Sequence, residues 1–325
     1  MECNNLDVFV LTYNRAKYLR IMLESLCSQT ATGFKIKILN NCSTDNTLDV
    51  IEDIKKQHPD RDIEVITHEK NLGNAGNFIR SQELATNEYT AIFHDDDAIH
   101  PEYIDTAMTL FKIHPQAVMC TGHKSIIWNV DNNNWNALYK NYHYYSKNNG
   151  VFLQLLIHRT VFADAIYNTA AYKKIAYNPK RYGKLHDNMF MFELNNLGDI
   201  IFIQGICMRW RQHNNSDSNT LSTGPFPNEI WNIIQDLSKI YTKHRFLYKP
   251  LLWNFSYFLY NWSVLSKYLT WYEFLDELVR RNVFGKFESL IYRNIFCINI
   301  LNKIIAIRAK HYKKKVARGY PQARF

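Results

Sequence analysis

Two periods of apolar residues alternate along the first 120 positions. Residues 6–11 (LDVFVL), 35–39, 63–67 and 89–94 are short runs of apolar or alternating character bounded by polar breaks, which predicts four strands. Between them, Leu19, Met22, Leu23 and Leu26 recur at helical spacing over 18–27, and helices are predicted over about 47–57 and 74–85. Ser43, Thr44, Asp45 and Asn46 offer capping side chains ahead of the second helix, and His58-Pro59 ends it. A helix at 101–114 and a strand at 117–121 complete the series. Strands alternating with helices imply an α/β fold with a mostly parallel sheet flanked by helices.

From 122 to 226 the periodicity fades, and Asn, Tyr and His accumulate, as in Asp131-Asn132-Asn133-Asn134 and Tyr142-His143-Tyr144-Tyr145. This stretch reads as specificity-bearing loops around a helix at 187–197 and a strand at 200–204. Gly224-Pro225-Phe226-Pro227 is the clearest boundary, and beyond it the pattern turns helical and basic. The expected organisation is an α/β domain over 1–226, with halves 1–121 and 122–226, and a helical basic region over 227–325.

Composition changes this picture only through charge. Hydrophobic residues make up 46% and aromatic ones 14%, which fits a folded chain. Residues 1–230 hold 22 Lys and Arg against 25 Asp and Glu, net −3, whereas 231–325 hold 17 against 5, net +12. The basic tail therefore has its own expected partner, either an anionic membrane surface or the preceding domain on which it packs. No recognised nucleic-acid module accompanies it, so nucleic acid is not an expected partner. Cysteines 3, 27, 42, 120, 207 and 297 form no close pairs, which suits a reducing compartment. The N-terminus lacks the form of a signal peptide, and the longest apolar run, 250–266, is shorter than the ~20 residues of a membrane span. The expected location is cytoplasmic, at most peripheral on the inner face of a membrane.

Asp95, Asp96 and Asp97 follow directly on the fourth strand. Alternation along a strand sends Asp95 and Asp97 in one direction and Asp96 in another. Two converging carboxylates suit Mg²⁺ or Mn²⁺, and such ions partner substrate phosphates. The same residues also suit the start of a helix at Pro101 and Glu102, so the triplet alone leaves both readings open.

Taken in order, further motifs resemble family 2 glycosyltransferases of the GT-A (Rossmann-like) fold. Leu11-Thr12-Tyr13-Asn14-Arg15 matches a TYN-type turn, and Asn40-Asn41-Cys42-Ser43-Thr44-Asp45 stands for the DDGSTD-like segment. Asn71-Leu72-Gly73-Asn74 matches an N-x-G segment, and Asp95 to Asp97 sit at the DxD metal motif. Leu185-His186-Asp187 resembles the acidic catalytic motif, and Arg211-Gln212-His213-Asn214-Asn215-Ser216 the R-x-H segment. The resemblance covers residues 6–216 and implies a nucleotide-sugar donor, in the first instance a UDP-sugar. It also implies a saccharide or lipid-linked glycan acceptor, as in enzymes that build surface polysaccharides. The family's two Asp are both Asn here, at 40 and 41, which removes a charge-assisted bond to the base, and Cys42 replaces a small Gly.

The resemblance places Thr12, Tyr13, Asn14, Arg15, Asn40, Asn41, Asn71, Gly73, Asn77, Asp95, Asp96 and Arg211 on the nucleotide side. It assigns the metal to Asp95, Asp97 and His213. Negative charge growing on the leaving diphosphate calls for a cation there, and the acceptor hydroxyl calls for a general base, expected to be Asp187. Attack from the face opposite the diphosphate inverts configuration. Arg15, Arg80 and Arg211 match phosphate geometry, and Trp128, Trp135, Tyr139 and Tyr142 are candidates to stack on acceptor sugars. Two other readings compete: a sugar-phosphate nucleotidyltransferase, which would want a Gly-rich loop that Tyr13 to Tyr18 lacks, and a non-catalytic scaffold that binds sugar nucleotides.

Overall fold

The computed structural model describes residues 1–127, 134–147, 164–183, 186–213, 228–240 and 269–286, together with 252, 253, 256, 260, 289, 303 and 307. Trp128, Leu185, Asn214 to Ser216, the 224–227 boundary, most of the 250–266 run and the final basic cluster lie outside these residues.

The chain begins β1 (Leu6–Thr12), α1 (Ala16–Cys27), β2 (Lys35–Asn40), α2 (Thr47–Gln57), β3 (Ile63–Thr67), α3 (Gly73–Leu84) and β4 (Tyr89–His94). Each of these agrees with the expected element to within about two residues. Then come β5 (Ala98–Ile99), α4 (Tyr103–Ile113), β6 (Ala117–Ile127), β7 (Tyr142–Tyr145) and β8 (Ala165–Asn168). The remainder is α5 (Thr169–Lys174), α6 (Pro179–Tyr182), α7 (His186–Leu197), β9 (Asp199–Arg211), α8 (Asn228–Ile240) and α9 (Trp271–Arg280).

One sheet runs in the order β3-β2-β1-β4-β8-β6-β9-β5, with β7 paired to β9. β1 to β4 are mutually parallel, β8 is antiparallel to β4 and β6, and β6 and β9 run parallel. Both faces are covered, which is why β1 is buried at every position. Val8, Val10, Ile36, Ile38 and Phe93 meet Leu19, Met22 and Leu23 of α1 on one face. Phe9, Leu11 and Ile92 meet Phe78 of α3, Tyr172 of α5 and Phe190 of α7 on the other.

The sequence under-reads the second half of the sheet. β6 and β9 are 11 and 13 residues long, well beyond the expected strands. Register shifts at Gly122/His123 and His123/Lys124 break the alternation that a sequence pattern would need. Gly122 is required there, because a Cβ would lie 2.3 Å from the Cys207 sulfur. β8 is four residues long and is held by pairing with β4 and β6, a non-local cause that no local pattern records.

β4 and β5 are four positions apart in the strand order, yet only residues 95–97 join them. Four strand spacings come to about 19 Å on a flat sheet, whereas the four steps from His94 to Ala98 reach at most about 14 Å. The sheet therefore curls at its β9-β5 end. This carries Asp95 to Asp97 across the carboxyl edge of the parallel strands, where ligands bind in open α/β sheets.

Helices α8 and α9 share a core with α6 and α7. Trp231 and Ile234 of α8 and Phe274 and Leu278 of α9 cluster with Tyr182 of α6 and Met189 and Phe192 of α7. Asp236 of α8 also accepts from Arg181 Nε at 2.6 Å and from the Tyr182 hydroxyl at 2.9 Å. Among the described residues, no helix is long and apolar enough to cross a membrane.

Candidate active site

The nucleotide-side motifs occupy the loops at the carboxyl ends of β1, β2 and β3, and they are knitted to one another. Asn14, in the left-handed region at φ 52°, donates its N–H to Ser43 Oγ at 2.9 Å, and its Oδ1 accepts from Thr44 N at 2.7 Å. Asp45 accepts from the N–H groups of Ala16 and Thr47, at 3.2 and 3.1 Å, so it ties the start of α1 to that of α2. Thr12 ends β1 opposite Asn40, with its carbonyl accepting from Asn41 N, and Tyr13 is exposed beside it.

The two asparagines that replace the family's carboxylates are buried and serve the turn. Asn40 Oδ1 accepts from Ser43 N at 3.1 Å, and its amide donates to Thr67 Oγ1 at 3.3 Å. Asn41 donates to Asn71 Oδ1 and to the Gly73 carbonyl, at 2.9 and 3.2 Å, and accepts from Leu72 N at 2.8 Å. Cys42 adopts φ 63°, a conformation suited to the glycine it replaces. Asn77 is a buried brace: it donates to the Leu39 carbonyl at 3.1 Å, and its Oδ1 meets His68 Nε2 at 2.9 Å.

Asp95 and Asp96 are in a turn and not in the strand, which ends at His94, so alternation does not set their directions. Arg15 Nη1 lies 3.3 Å from Asp95 Oδ1 and 2.6 Å from Asp96 Oδ2. His213 Nε2 is 3.0 Å from that same Asp96 oxygen, and its ring stacks on Tyr18 at 5.1 Å between centroids. Asp97 Oδ1 accepts from Arg211 N at 2.8 Å, and Arg211 Nε donates to the Asp96 carbonyl at 2.9 Å. Arg211 is thus a buried clamp on the carboxylate segment, lying over Tyr18. The structure brings Asp95, Asp96 and His213 around one cation-bearing point and turns Asp97 inward beside them.

Charge follows geometry. Burial pushes the Asp95 carboxyl up to about 6 even though Arg15 opposes the shift. At Asp96 burial also acts upward, but Arg15, His94 and His213 outweigh it and hold the carboxyl below its usual range. Asp97 is pushed well up by burial and by the neighbouring Asp164 carboxyl. Its Oδ2 is buried with no hydrogen-bond partner among the described residues. Arg15 takes the place of a counter-cation between Asp95 and Asp96, and among the described residues no group of three or more His, Cys, Asp or Glu side chains is arranged to hold a metal ion.

Asp187 is in the first turn of α7, half-buried, where the helix macrodipole favours a carboxylate. Its charge acts, with those of Asp164 and Asp97, on Lys124 of β6, which burial nevertheless holds below the usual ammonium range. Neither Lys124 nor Asp164 is singled out by the sequence motifs. The available signal is a lone charge inside an otherwise uncharged strand, Thr121-Gly122-His123-Lys124-Ser125-Ile126. Arg80 is paired with Glu83 at 2.6 Å on the surface of α3. Trp135 lies 4.0 Å from the Arg209 guanidinium, Tyr142 bonds His114 Nε2 at 2.8 Å, and Tyr139 is exposed.

Comparison with known proteins agrees with this architecture. Residues 7–176 match the sequence model of glycosyl transferase family 2. The chain is 33% identical over 107 residues to the uncharacterized glycosyltransferase YibD of Escherichia coli, a match covering 33% of this chain and only 30% of that protein. Among solved structures, Staphylococcus aureus TarS 1–349 in complex with UDP-GlcNAc superposes with a TM-score of 0.62 at 17% identity, covering 85% of this chain and 81% of that one. The mannosyltransferase PcManGT of Pyrobaculum calidifontis, in complex with GDP-Man and Mn²⁺, gives a TM-score of 0.55 at 14% identity over 78% of this chain and 69% of that one.

Proposed function

The chain belongs to glycosyltransferase family 2, and from that premise we propose that it is a metal-dependent, inverting transferase moving a sugar from a nucleoside-diphosphate sugar to a hydroxyl of a glycan or lipid-linked saccharide. The observation that carries the reading is the carboxylate segment 95–97 in the turn after β4, tied to Arg15, Arg211 and His213 at the carboxyl edge of the parallel strands. The TarS and PcManGT complexes, with their nucleotide sugars, support the choice of donor class.

The loops after β1, β2 and β3 receive the nucleoside, bounded by Tyr13, Asn14, the Asn40-Asn41 turn and Asn71 to Gly73. Asn40 and Asn41 carry no charge, so discrimination among bases rests on neutral hydrogen bonds. Arg15 and the carboxylate segment flank the diphosphate. A divalent ion held by Asp95 and Asp97 with His213, beside Asp96, would neutralise charge on the leaving diphosphate.

Asp187 takes the proton from the acceptor hydroxyl as the new bond forms. Its place in the first turn of a packed helix fixes its aim. The acceptor approaches from the α7 side, opposite the diphosphate, so configuration inverts at the anomeric carbon. The C-terminal helices, packed on α6 and α7, brace that side.

The test is release of nucleoside diphosphate from a panel of UDP-, GDP- and CDP-sugars with and without Mn²⁺, by the wild type, Asp97→Ala and Asp187→Asn. Metal-dependent cleavage of one donor, lost in both variants, is the expected result. Loss of activity in Asp187→Asn should be at least about 100-fold, the scale of general-base catalysis, with donor affinity unchanged. Turnover that is indifferent to both variants would overturn the assignment.

A further inference from the structure

Lys124 lies where no motif predicts a ligand contact. Its Nζ is buried and has no hydrogen-bond partner among the described residues, although an ammonium carries three donors. It lies 5.0 Å from the centre of the Trp210 ring, and Asp164, Asp97 and Asp187 are near enough for their charges to act on it. Asp97 and Asp164 are each only 1% exposed. Neither oxygen of Asp164, nor Oδ2 of Asp97, receives a hydrogen bond from a described amide, hydroxyl or cation, although the two carboxyl groups are close enough to bond each other when one is protonated.

Asp164 is held there by its backbone. It sits at φ 67°, its N–H donates to the Ile92 carbonyl at 2.8 Å, and its own carbonyl accepts from the Tyr103 and Thr121 hydroxyls at 3.3 and 3.4 Å. A non-glycine residue in the left-handed region is unusual, and Asp is among the few that tolerate it. The carboxyl group is thereby fixed at the edge of β8, between the end of β4 and β6.

We infer that Lys124 binds the donor sugar, its ammonium donating to a hydroxyl of the transferred ring between the carboxylate segment and Asp187. The inference rests on the transferase reading and extends it. Sheet order gives the direction: the nucleoside loops follow β1 and β2, the carboxylate segment follows β4, and Lys124 is on β6, two strands beyond β4 in the strand order.

A sugar hydroxyl suits this mixed set, because it supplies lone pairs to Lys124 and a proton to Asp164. A buried amine with no hydrogen-bond partner is costly unless a ligand completes it. Asp187 also acts on this amine, so the hydroxyl that the amine holds belongs to the ring whose anomeric carbon the base-activated acceptor attacks.

The experiment is titration calorimetry in Mn²⁺ of the wild type, Lys124→Met and Lys124→Arg. The probes are UDP and GDP alone and intact UDP-GlcNAc, UDP-glucose, UDP-galactose and GDP-mannose. Weakening of the intact donor about tenfold in Lys124→Met, with the nucleoside diphosphate bound as in the wild type, is the expected result. Lys124→Arg keeps a cation against Asp97 and Asp164 and carries the same comparison if the Met variant does not fold. Equal weakening of diphosphate and donor, or no change in either, overturns the role of Lys124 and leaves the transferase reading standing. A wild type that binds no nucleotide overturns both.

Discussion

Arg15 and Asp96 are joined by a 2.6 Å ion pair across the mouth of the sheet edge, and the same guanidinium nitrogen reaches Asp95 at 3.3 Å. One arginine therefore neutralises two carboxylates that burial would otherwise drive toward protonation. Removing it as Arg15→Met leaves them facing each other with only the His213 ring beside Asp96. Because the Arg15 side chain is a quarter exposed, solvent screens part of the loss, and the expected destabilisation is about 1–2 kcal/mol in urea unfolding. Mn²⁺ should raise the midpoint of the variant more than that of the wild type, since the ion replaces the missing cation. An equal effect on both proteins would separate Arg15 from the metal site.

His186 precedes Asp187 and is buried against Tyr177 and Phe78, and burial holds its imidazole at about 3, far below the ordinary value. The unfolded chain binds a proton here below about 6.5, whereas the folded chain does not until about 3. The stability contributed by the neutral ring is therefore fully present above pH 6.5 and falls as pH drops toward 3. The slope is at most about 1.4 kcal/mol per pH unit. His186→Phe should flatten that part of the stability-pH curve in denaturant titrations between pH 4 and 7. A wild-type slope retained in the variant would assign the acid sensitivity to other groups.

Cys42 holds φ 63°, where a Cβ carries a penalty of about 1–2 kcal/mol. Glycine removes that penalty but loosens the unfolded chain by about 0.5–1 kcal/mol. Cys42→Gly should thus be stabilising by up to about 1 kcal/mol, and Cys42→Ala, which keeps the Cβ, should show no gain. Thermal unfolding of the pair distinguishes backbone strain from loss of the thiol. Destabilisation by glycine would point to a packing role for the sulfur instead.

Asn41 makes three hydrogen bonds to residues 71–73, two as donor and one as acceptor. Asn41→Asp keeps the acceptor for Leu72 N but turns an oxygen toward Asn71 Oδ1 and the Gly73 carbonyl. Restoring the family's acidic residue should therefore lower stability by about 1–3 kcal/mol, measured by urea unfolding, and should weaken nucleoside diphosphate binding. Tighter binding in Asn41→Asp would show that the turn readily re-forms around a carboxylate.

The parallel half of the sheet was legible in the sequence because its causes are local. The apolar runs 6–11, 35–39 and 89–94 are buried on both faces, and helical spacing in Leu19, Met22, Leu23 and Leu26 names the face of α1 that covers them. The ordered motifs from Leu11 to His213 likewise named the family, since loops at strand ends carry chemistry in short contiguous segments. The tertiary structure alone decided which carboxylates meet. Asp95 and Asp96 lie in a turn, so the alternation expected to pair Asp95 with Asp97 has no backbone to act on, and Arg15 and His213 converge on Asp96 from distant points in the chain. Lys124 and Asp164 come together only because β6 and β8 pair antiparallel while residues 95–97 cross the curled edge of the sheet. A lone charge in a strand carries no local mark of its partners, which only sheet order and register supply.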